Sequence, residues 1–355
     1  MPPDSRATST ERPIRLALVY TPRVRHDVSS RPDAGSASSV AANGLGGLRP
    51  ALGEPWVRTV AVLFVAQAVS ELAFSFALPF IPLYINQDLG VADPGQAGVW
   101  AGVTAGAMAV SMGVMGPVWG AVSDRFGRKL MIQRALFGGC LFIGGMGLVQ
   151  TPEQLLVLRV LQGSVTGVVA AMAVVVSLTV PKHRLGATLG LMQTAMFVGT
   201  AFGPVVGGAF SDAFGYRAAF AATAVLFLAS GLMVTAFVRE PPRDSSEHID
   251  SRVSFRDSAR ELLARPELVA AIGLMSIVRF ASTAPQPVLP LFIQQMVEDR
   301  STLATQAGIV VAATGTASLV SALAVGHLSD RYGRRLSLLV CLLAAAVFSP
   351  PHLLV

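Results

Sequence analysis

Long apolar segments alternate with short polar turns over most of the chain. An α-helix rises 1.5 Å per residue, so about 20 apolar residues cross the hydrocarbon core of a bilayer. The pattern predicts nine membrane-spanning helices, at Trp56–Ile85, Ala97–Trp119, Leu130–Val149, Leu155–Val180, Gly186–Phe210, Ala218–Val238, Leu268–Ile293, Ala304–His327 and Leu336–Phe348. The expected fold class is therefore an all-α membrane protein.

The spans group into two unequal parts. Residues 56–238 are predicted to form a complete six-helix N-terminal half, and residues 267–355 an incomplete C-terminal half of about three helices. Residues 239–266 are rich in Arg and are predicted to be a cytoplasmic linker loop. Residues 1–55 are rich in Ser, Pro, Gly and Arg without a sustained apolar run, which is typical of a disordered tail.

The turns between the spans alternate in charge. One set carries the basic residues Arg125, Arg128, Lys129, Arg134, Lys182, Arg184, Arg331, Arg334 and Arg335, together with the arginines of the linker loop. The other set carries Asp88, Asp93, Glu153, Asp212, Glu298 and Asp299. Basic turns stay in the cytoplasm, so the N-terminus is predicted to be cytoplasmic in a multi-pass protein of the plasma (inner) membrane.

Composition agrees with this interpretation and excludes several classes of protein. The chain is 52% hydrophobic and only 14% charged, whereas a soluble domain has about a quarter charged residues. Its net charge of +6 lies in the turns and tail, so no nucleic acid is expected. Cys140 and Cys341 are isolated in apolar segments, and the five His residues are scattered, so neither a metal nor a cofactor is predicted.

Two patterns occur twice in the chain. Residues 79–85 (PFIPLYI) in span one reappear as residues 287–293 (PVLPLFI) in span seven. The turn after span two, residues 120–129 (GAVSDRFGRK), reappears after span eight as residues 326–335 (GHLSDRYGRR). Such a repeat indicates two parallel halves related by an axis along the membrane normal.

These motifs carry a family resemblance. The turn at residues 120–129 resembles the loop-two signature of the major facilitator superfamily, G-x-L-x-D-R-x-G-R-K, with Val122 in place of Leu. Residues 72–82 resemble the span-one L-G-x5-P-x-x-P element, with Ala73 in place of Gly, and residues 159–163 (RVLQG) resemble the span-four R-x-x-Q-G element. Residues 199–208 are similar to the span-five antiporter element. Together they resemble the twelve-span drug:proton antiporter, or multidrug-efflux, branch, truncated at the C-terminal side.

The resemblance implies that the two repeated turns gate the cytoplasmic side. The residues concerned are Gly120, Asp124, Arg125, Gly127, Arg128 and Lys129, and Gly326, Asp330, Arg331, Gly333, Arg334 and Arg335. In the family's arrangement Asp124 meets the start of span eleven and Asp330 that of span five, so only Asp330 is expected to find its helix here. The alternative is that both are solvated turns that contribute little energy.

A second implied element lies in span five and consists of Gly199, Gly203, Pro204, Gly207 and Gly208. Glycines spaced by four give a flat helix face that another backbone can approach, and Pro204 permits a bend. We predict a packing surface between the halves, and ordinary small-residue packing is the alternative.

Two ionisable residues lie deep in the predicted spans. Glu71 follows Arg58 by thirteen residues, which places it near mid-membrane. The repeat aligns Glu71 with Arg279, and charges at that depth should face a cavity or each other. We therefore expect both to face one interior space between the halves, with Glu71 as the protonation site. A silent structural pair is the alternative.

Arg159 lies within span four, near its outer end. The resemblance implies a role in coupling protons to substrate movement, and the alternative is an arginine that extends to the membrane interface. Residues expected to line an adaptable cavity are Phe74, Met192, Met196 and Phe280.

The predicted function is secondary transport, with small lipophilic compounds exported in exchange for protons by alternating access. The expected partners are thus a small-molecule substrate, protons and the lipid bilayer. Transport of another small metabolite is one alternative, and a transport-inactive remnant or membrane interaction protein is another. An enzyme is not expected, because no nucleophile–base spacing or nucleotide-binding loop is present.

Overall fold

The computed structural model describes residues 54–240, 260, 263–297, 300–332, 339–341 and 343. Most of the predicted tail, most of the linker loop and most of the ninth span therefore lie outside the described residues.

The first half begins with a helix in two pieces, α1 (Pro55–Ala77) and α2 (Ile81–Gln87), joined by a 3-10 turn at Leu78–Phe80. The helices that follow are α3 (Pro94–Phe126), α4 (Arg128–Met146), α5 (Pro152–Val165), α6 (Val168–Thr179), α7 (Lys182–Phe214) and α8 (Tyr216–Phe237). In the second half the structure describes α9 (Pro266–Thr283), α10 (Leu289–Met296), a 3-10 turn at Arg300–Thr302 and α11 (Leu303–Tyr332).

Helix starts follow local rules of chain chemistry. Proline lies in the first turn of α1, α3, α5 and α9, where its missing N–H costs no helical hydrogen bond. Asp93 caps α3 by accepting hydrogen bonds from the backbone N–H groups of Gly95 (3.1 Å) and Gln96 (3.2 Å). The same signals, Pro and Asp at polar turns, separate the apolar segments in the sequence.

Six segments among the described residues are long and apolar enough to cross a membrane. They are Pro55–Gln87, Pro94–Ser123, Pro152–Thr179, Lys182–Phe214, Tyr216–Phe237 and Pro266–Thr283. Predicted spans three and eight are present as helices α4 and α11 but are not among the six. Helix α4 begins with two cations and contains Arg134, which lowers its hydropathy.

Three of the spans are broken where the sequence predicts continuous helices. Both repeated Pro-x-x-Pro elements interrupt a long helix and start a short one, α2 in the first half and α10 in the second. The third break separates α5 from α6 at Thr166 and Gly167, where Gly167 has a φ of 128°. That conformation is disfavoured for residues with a side chain, so glycine permits the break.

Helix α1 is the central element of the first half. It packs against α7 on one side and α8 on the other, and it also contacts α6. Helix α4 packs against α8 and α5, α3 packs against α5, and α11 of the second half packs against α7. The largest fully buried side chains include Leu63, Tyr84, Phe220 and Met172, with Tyr84 and Phe220 in an edge-on ring contact at 5.0 Å. Helix α9, by contrast, has no buried residue.

A very close approach of two backbones lies between α1 and α7. A methyl group on Gly207 would collide with the carbonyl oxygen of Phe76, and one on Gly203 would lie 2.6 Å from Cβ of Ser75. Because no side chain separates the helices, van der Waals contact extends along both backbones, which is how helices associate in lipid.

We therefore expect Gly207→Ala to destabilise the protein by roughly 1–3 kcal/mol, because the added methyl group overpacks a rigid backbone contact. Thermal unfolding of the purified protein in detergent would show this as a lowered Tm. The control is Gly190→Ala, since a methyl group at Gly190 would meet no atom within 4 Å outside its own helix. An equal loss of stability in both variants would contradict this account of the contact.

Candidate functional site

A cavity of about 380 Å³, partly open to its surroundings, lies within the first half. Helices α1, α3, α4, α5, α6 and α8 all contribute to its wall, and Thr166 and Gly167 of the helix break line it as well. Its remaining lining residues are Ser70, Glu71, Phe74, Met108, Met112, Ala135, Gly139, Ile143, Gln162, Val168, Val169, Ala170 and Phe227. Most of the wall is thus apolar, with a few polar groups, as in sites for small molecules.

Glu71 is the one carboxylate among the lining residues that the structure describes. It is partly buried on α1, and its backbone is held against α7, because a methyl group on Gly199 would lie 2.5 Å from its Cβ. With the described residues its carboxylate makes neither a hydrogen bond nor an ion pair. It therefore lines the cavity of the first half.

Arg279 does not lie with Glu71. It is exposed, on a helix without any buried residue, and it is not among the residues that line the cavity. The predicted shared space is therefore not observed. Helix α1 is enclosed by helices on several sides, whereas among the described residues no such packing surrounds α9.

Most of the residues predicted to line the cavity do not line it. Phe74 lines the cavity, but Met192 is buried in the helix packing, Phe280 is 76% exposed, and neither they nor Met196 line the wall. The expectation placed the cavity between the halves. In the structure it lies inside the first half, so residues of α7 and α9 do not reach it.

Arg159 lies behind the cavity wall. Its side chain is buried, with 7% exposure, and its Nη1 donates to Oε1 of Gln162 at 2.9 Å and to the sulfur of Met108 at 3.4 Å. The alternative in which Arg159 extends to the interface therefore does not hold. Since Oε1 of Gln162 is occupied, its NH₂ group remains available to donate into the cavity that Gln162 lines.

The helix break beside the cavity is held by two residues, Arg134 and Trp119, that were not predicted as site residues. Nη2 of Arg134 donates to the carbonyl of Thr166 at 3.2 Å, and the guanidinium lies 3.8 Å above the ring of Trp119. The indole N–H of Trp119 donates to the carbonyl of Ser164 at 2.5 Å. The charge pattern predicts Arg134 as a turn residue, but it lies inside α4, where it satisfies a carbonyl that the break has freed.

The turn between α3 and α4 has an acceptor that the sequence analysis also missed. Glu240, which follows α8, accepts hydrogen bonds from the backbone N–H groups of Arg128 (2.6 Å) and Lys129 (2.9 Å). Nζ of Lys129 donates to the carbonyl of Thr235 at 2.8 Å. Gly127 has a φ of 104°, which glycine adopts readily, so a tight turn joins α3 to α4. The only signal in the sequence is a carboxylate among the cations that follow span six.

Most of the other residues predicted to gate the cytoplasmic side cannot be compared with the structure. A methyl group on Gly120 would meet no atom within 4 Å, so Gly120 is not at a close approach. The side chains of Asp124, Arg331 and Asp330 lie outside the described residues, as do Gly333, Arg334 and Arg335 altogether. The expected inequality between Asp124 and Asp330 stays a prediction.

The span-five element divides between two partners. Gly199, Gly203 and Gly207, spaced by four, face α1 of the same half, whereas Gly208 faces Ala304 of α11. The predicted surface between the halves is therefore only part of its role. The reason is geometric, since one residue rotates a helix by about 100° and moves Gly208 to a neighbouring face.

A family match and two similar proteins agree with the motifs. The Major Facilitator Superfamily matches residues 63–355. The multidrug resistance protein MdtG of Salmonella typhimurium is 30% identical over 299 residues, covering 83% of this chain and 72% of that protein. MdtG of Enterobacter lignolyticus is 29% identical over 302 residues, covering 83% and 70%.

Solved structures share the fold at low sequence identity. A bacterial homologue of the human lysosomal transporter Spinster, in an inward-facing and occupied conformation, superposes with a TM-score of 0.64 at 17% identity. The match covers 80% of this chain and 63% of that one, so this chain spans less than two thirds of its length. The nucleoside transporter NupG has a TM-score of 0.62 at 14% identity, covering 78% and 68%.

The helical bundle, the repeated turns and the extent of the family match agree with one another. They identify a transmembrane transporter rather than an enzyme. The chain belongs to the Major Facilitator Superfamily.

Proposed function

We propose that this transporter exports small lipophilic compounds in exchange for protons, and that the cavity of the first half holds both. The observation that carries the proposal is the composition of the cavity wall. It combines aromatic rings and methionines with a single carboxylate among its described residues, that of Glu71.

The apolar wall suits ligands that differ in shape. Met108 and Met112 have flexible, polarisable side chains that repack around different molecules, and Phe74 and Phe227 offer ring faces. A cavity of about 380 Å³ is within the range of small-molecule sites. The wall therefore favours a lipophilic ligand over a sugar-like one, which would need many more hydrogen-bonding partners.

Glu71 supports the exchange of a proton for the ligand. A carboxylate in an apolar, membrane-embedded site is costly when charged and alone, so it takes up a proton or pairs with a ligand donor. These two states exclude each other at one carboxylate. Alternate occupation would couple proton entry to ligand release, and the NH₂ group of Gln162, oriented by Arg159, offers the ligand a donor.

The relatives support the direction of transport. The proteins named MdtG are multidrug resistance proteins, and they match along most of this chain. The solved structures support only the fold, because their sequence identities are below 20%.

The remaining features complete the proposal. Residues 56–238 and 267–355 would be the two halves, with 239–266 as the linker. The basic turns, including those at residues 120–129 and 326–335, would lie in the cytoplasm and gate that side. Glu240 fastens the first of these turns to the end of α8.

We expect Glu71→Gln to abolish proton-driven export without lowering the amount of protein in the membrane, because glutamine keeps the shape but cannot exchange a proton. The measurement is dye efflux by energised membrane vesicles that contain the chain. Glu267→Gln is the matched control, since Glu267 is an exposed carboxylate in the first turn of α9.

Unchanged efflux in Glu71→Gln would remove Glu71 from the mechanism. Vesicles with the unaltered chain that show no proton-dependent efflux would contradict the proposed function itself and favour a transport-inactive chain.

A second test concerns the location of the ligand. Phe74→Ala should weaken binding of a lipophilic fluorescent dye by about tenfold or more, because burying a phenylalanine contributes about 1.5–3 kcal/mol. Fluorescence polarisation with purified protein measures this directly. Phe280→Ala is the control, because Phe280 is exposed on α9 and does not line the cavity. A greater loss in Phe280→Ala than in Phe74→Ala would place the ligand elsewhere.

A further inference from the structure

The two halves are joined at one end of the bundle by a carboxylate. Asp212 lies in the last turns of α7, and its Oδ1 accepts a hydrogen bond from the backbone N–H of Ala304 at 2.9 Å. Its Oδ2 accepts from the backbone N–H of Thr305 at 2.7 Å and from the hydroxyl of Thr305 at 2.6 Å. The end of the bundle that contains Asp212 and Asp88 is called the acidic end below.

These contacts are of a favourable chemical kind. The first N–H groups of a helix have no partner within it, and the N-terminus carries a partial positive charge. Asp212 supplies a negative charge and two acceptor oxygens to the start of α11. Hydrogen bonds to a charged group are stronger than neutral ones. Asp212 of the first half is therefore a strong N-terminal cap for a helix of the second half.

A second contact between the halves lies at the same end. Nε2 of Gln294 donates to Oδ1 of Asn86 at 3.0 Å. Each residue follows the second proline of its Pro-x-x-Pro element by four positions, so the pair joins equivalent points of the repeat. The two halves therefore meet at the acidic end through their first spans as well as through α7 and α11.

Contact between the halves weakens away from this end. Near it, a methyl group on Gly208 would collide with the carbonyl of Ala304, and one on Gly308 with the carbonyl of Pro204. Further along, a methyl group on Gly315 would lie 3.6 Å from the carbonyl oxygen of Thr200, at ordinary contact distance. Helix α9 has no buried residue. The described parts of the halves are thus fastened at the acidic end.

We propose that Asp212 is the positioning residue that keeps the acidic end closed, so that its three hydrogen bonds must break before the transporter can open there. This inference rests on the proposed function, since only a transporter needs to open at each end in turn. Asp88 does not do the same, because its partner is Arg217 of the same half, at 3.9 Å.

The chain contains a matched control. Asp93 also caps a helix with its carboxylate, but the helix is its own, α3, and both belong to the first half. Replacing Asp93 removes the same chemistry without separating the halves. The general loss of stability from removing a helix cap should therefore appear in both Asp93→Asn and Asp212→Asn. Opening of the acidic end should appear only in Asp212→Asn.

The test uses the closeness of Asn86 and Gln294. Both are changed to cysteine in the full chain with Cys140 and Cys341 replaced by alanine, and the rate of cross-linking by a short bis-thiol reagent is measured. Asp212→Asn is expected to slow cross-linking by up to about fivefold, since losing charged hydrogen bonds lowers the ratio of closed to open molecules by about that factor and the rate follows the closed fraction. Thr305→Val, which removes one of the three bonds, should slow it less, and Asp93→Asn should leave it unchanged.

Several results would overturn the proposal. One is an unchanged rate of cross-linking in Asp212→Asn. Another is that Asp93→Asn slows cross-linking as much as Asp212→Asn does when the two variants have the same Tm. If Asp212→Asn does not fold, Thr305→Val decides, and an unchanged rate there counts against the proposal. Cross-linking that responds as expected, in vesicles without proton-dependent efflux, would leave the closure of the acidic end standing and refute only the proposed function.

Discussion

The backbone contacts of α7 are the constraint on which the rest of the structure depends. On one face Gly199, Gly203 and Gly207 bring it against α1, and on the neighbouring face Gly208 brings it against α11. Lipid offers little hydrophobic driving force for helix association, so direct packing of this kind must hold the bundle. One helix thus fixes the backbone of Glu71 on one side and joins the second half on the other.

The buried cations show how an apolar interior accommodates charge. Neither Arg159 nor Arg134 pairs with a carboxylate among the described residues, and each instead uses neutral acceptors or a ring face. Arg159 orients a cavity amide, and Arg134 satisfies a carbonyl at the break between α5 and α6. Ionisable groups within a bilayer are expensive and are generally retained for function. Both lie next to the cavity, which is where a transporter needs rigid polar groups.

Much of the fold could be predicted from the sequence because its signals are local. Apolar length gives the helices, proline and aspartate mark their starts, and the repeated motifs give the two halves. The place of Glu71 within the first long helix followed from the apolar pattern. The family resemblance added the gating and antiporter elements, which periodicity alone could not supply.

The misses share one physical cause, which is contact between distant parts of the chain. Helix rotation and enclosure decide that Phe74 lines the cavity while Phe280 and Arg279 are exposed. Glu240 and Asp212 are ordinary carboxylates at helix ends in the sequence, and only the fold brings them to the backbone N–H groups of Lys129 and Thr305. The break between α5 and α6 is a further example, because the freed carbonyl of Thr166 is satisfied by Arg134 of a different helix.

The central claim is that a proton and a ligand compete for Glu71 in the cavity of the first half. The most direct measurement is the release of protons when a lipophilic cationic dye is added to the purified protein in weakly buffered detergent solution, followed with a pH indicator. The account predicts release of up to about one proton for each dye molecule bound, by linkage, and none from Glu71→Gln. The account would be contradicted if the dye binds with full stoichiometry and no proton is released at every pH at which the protein is folded.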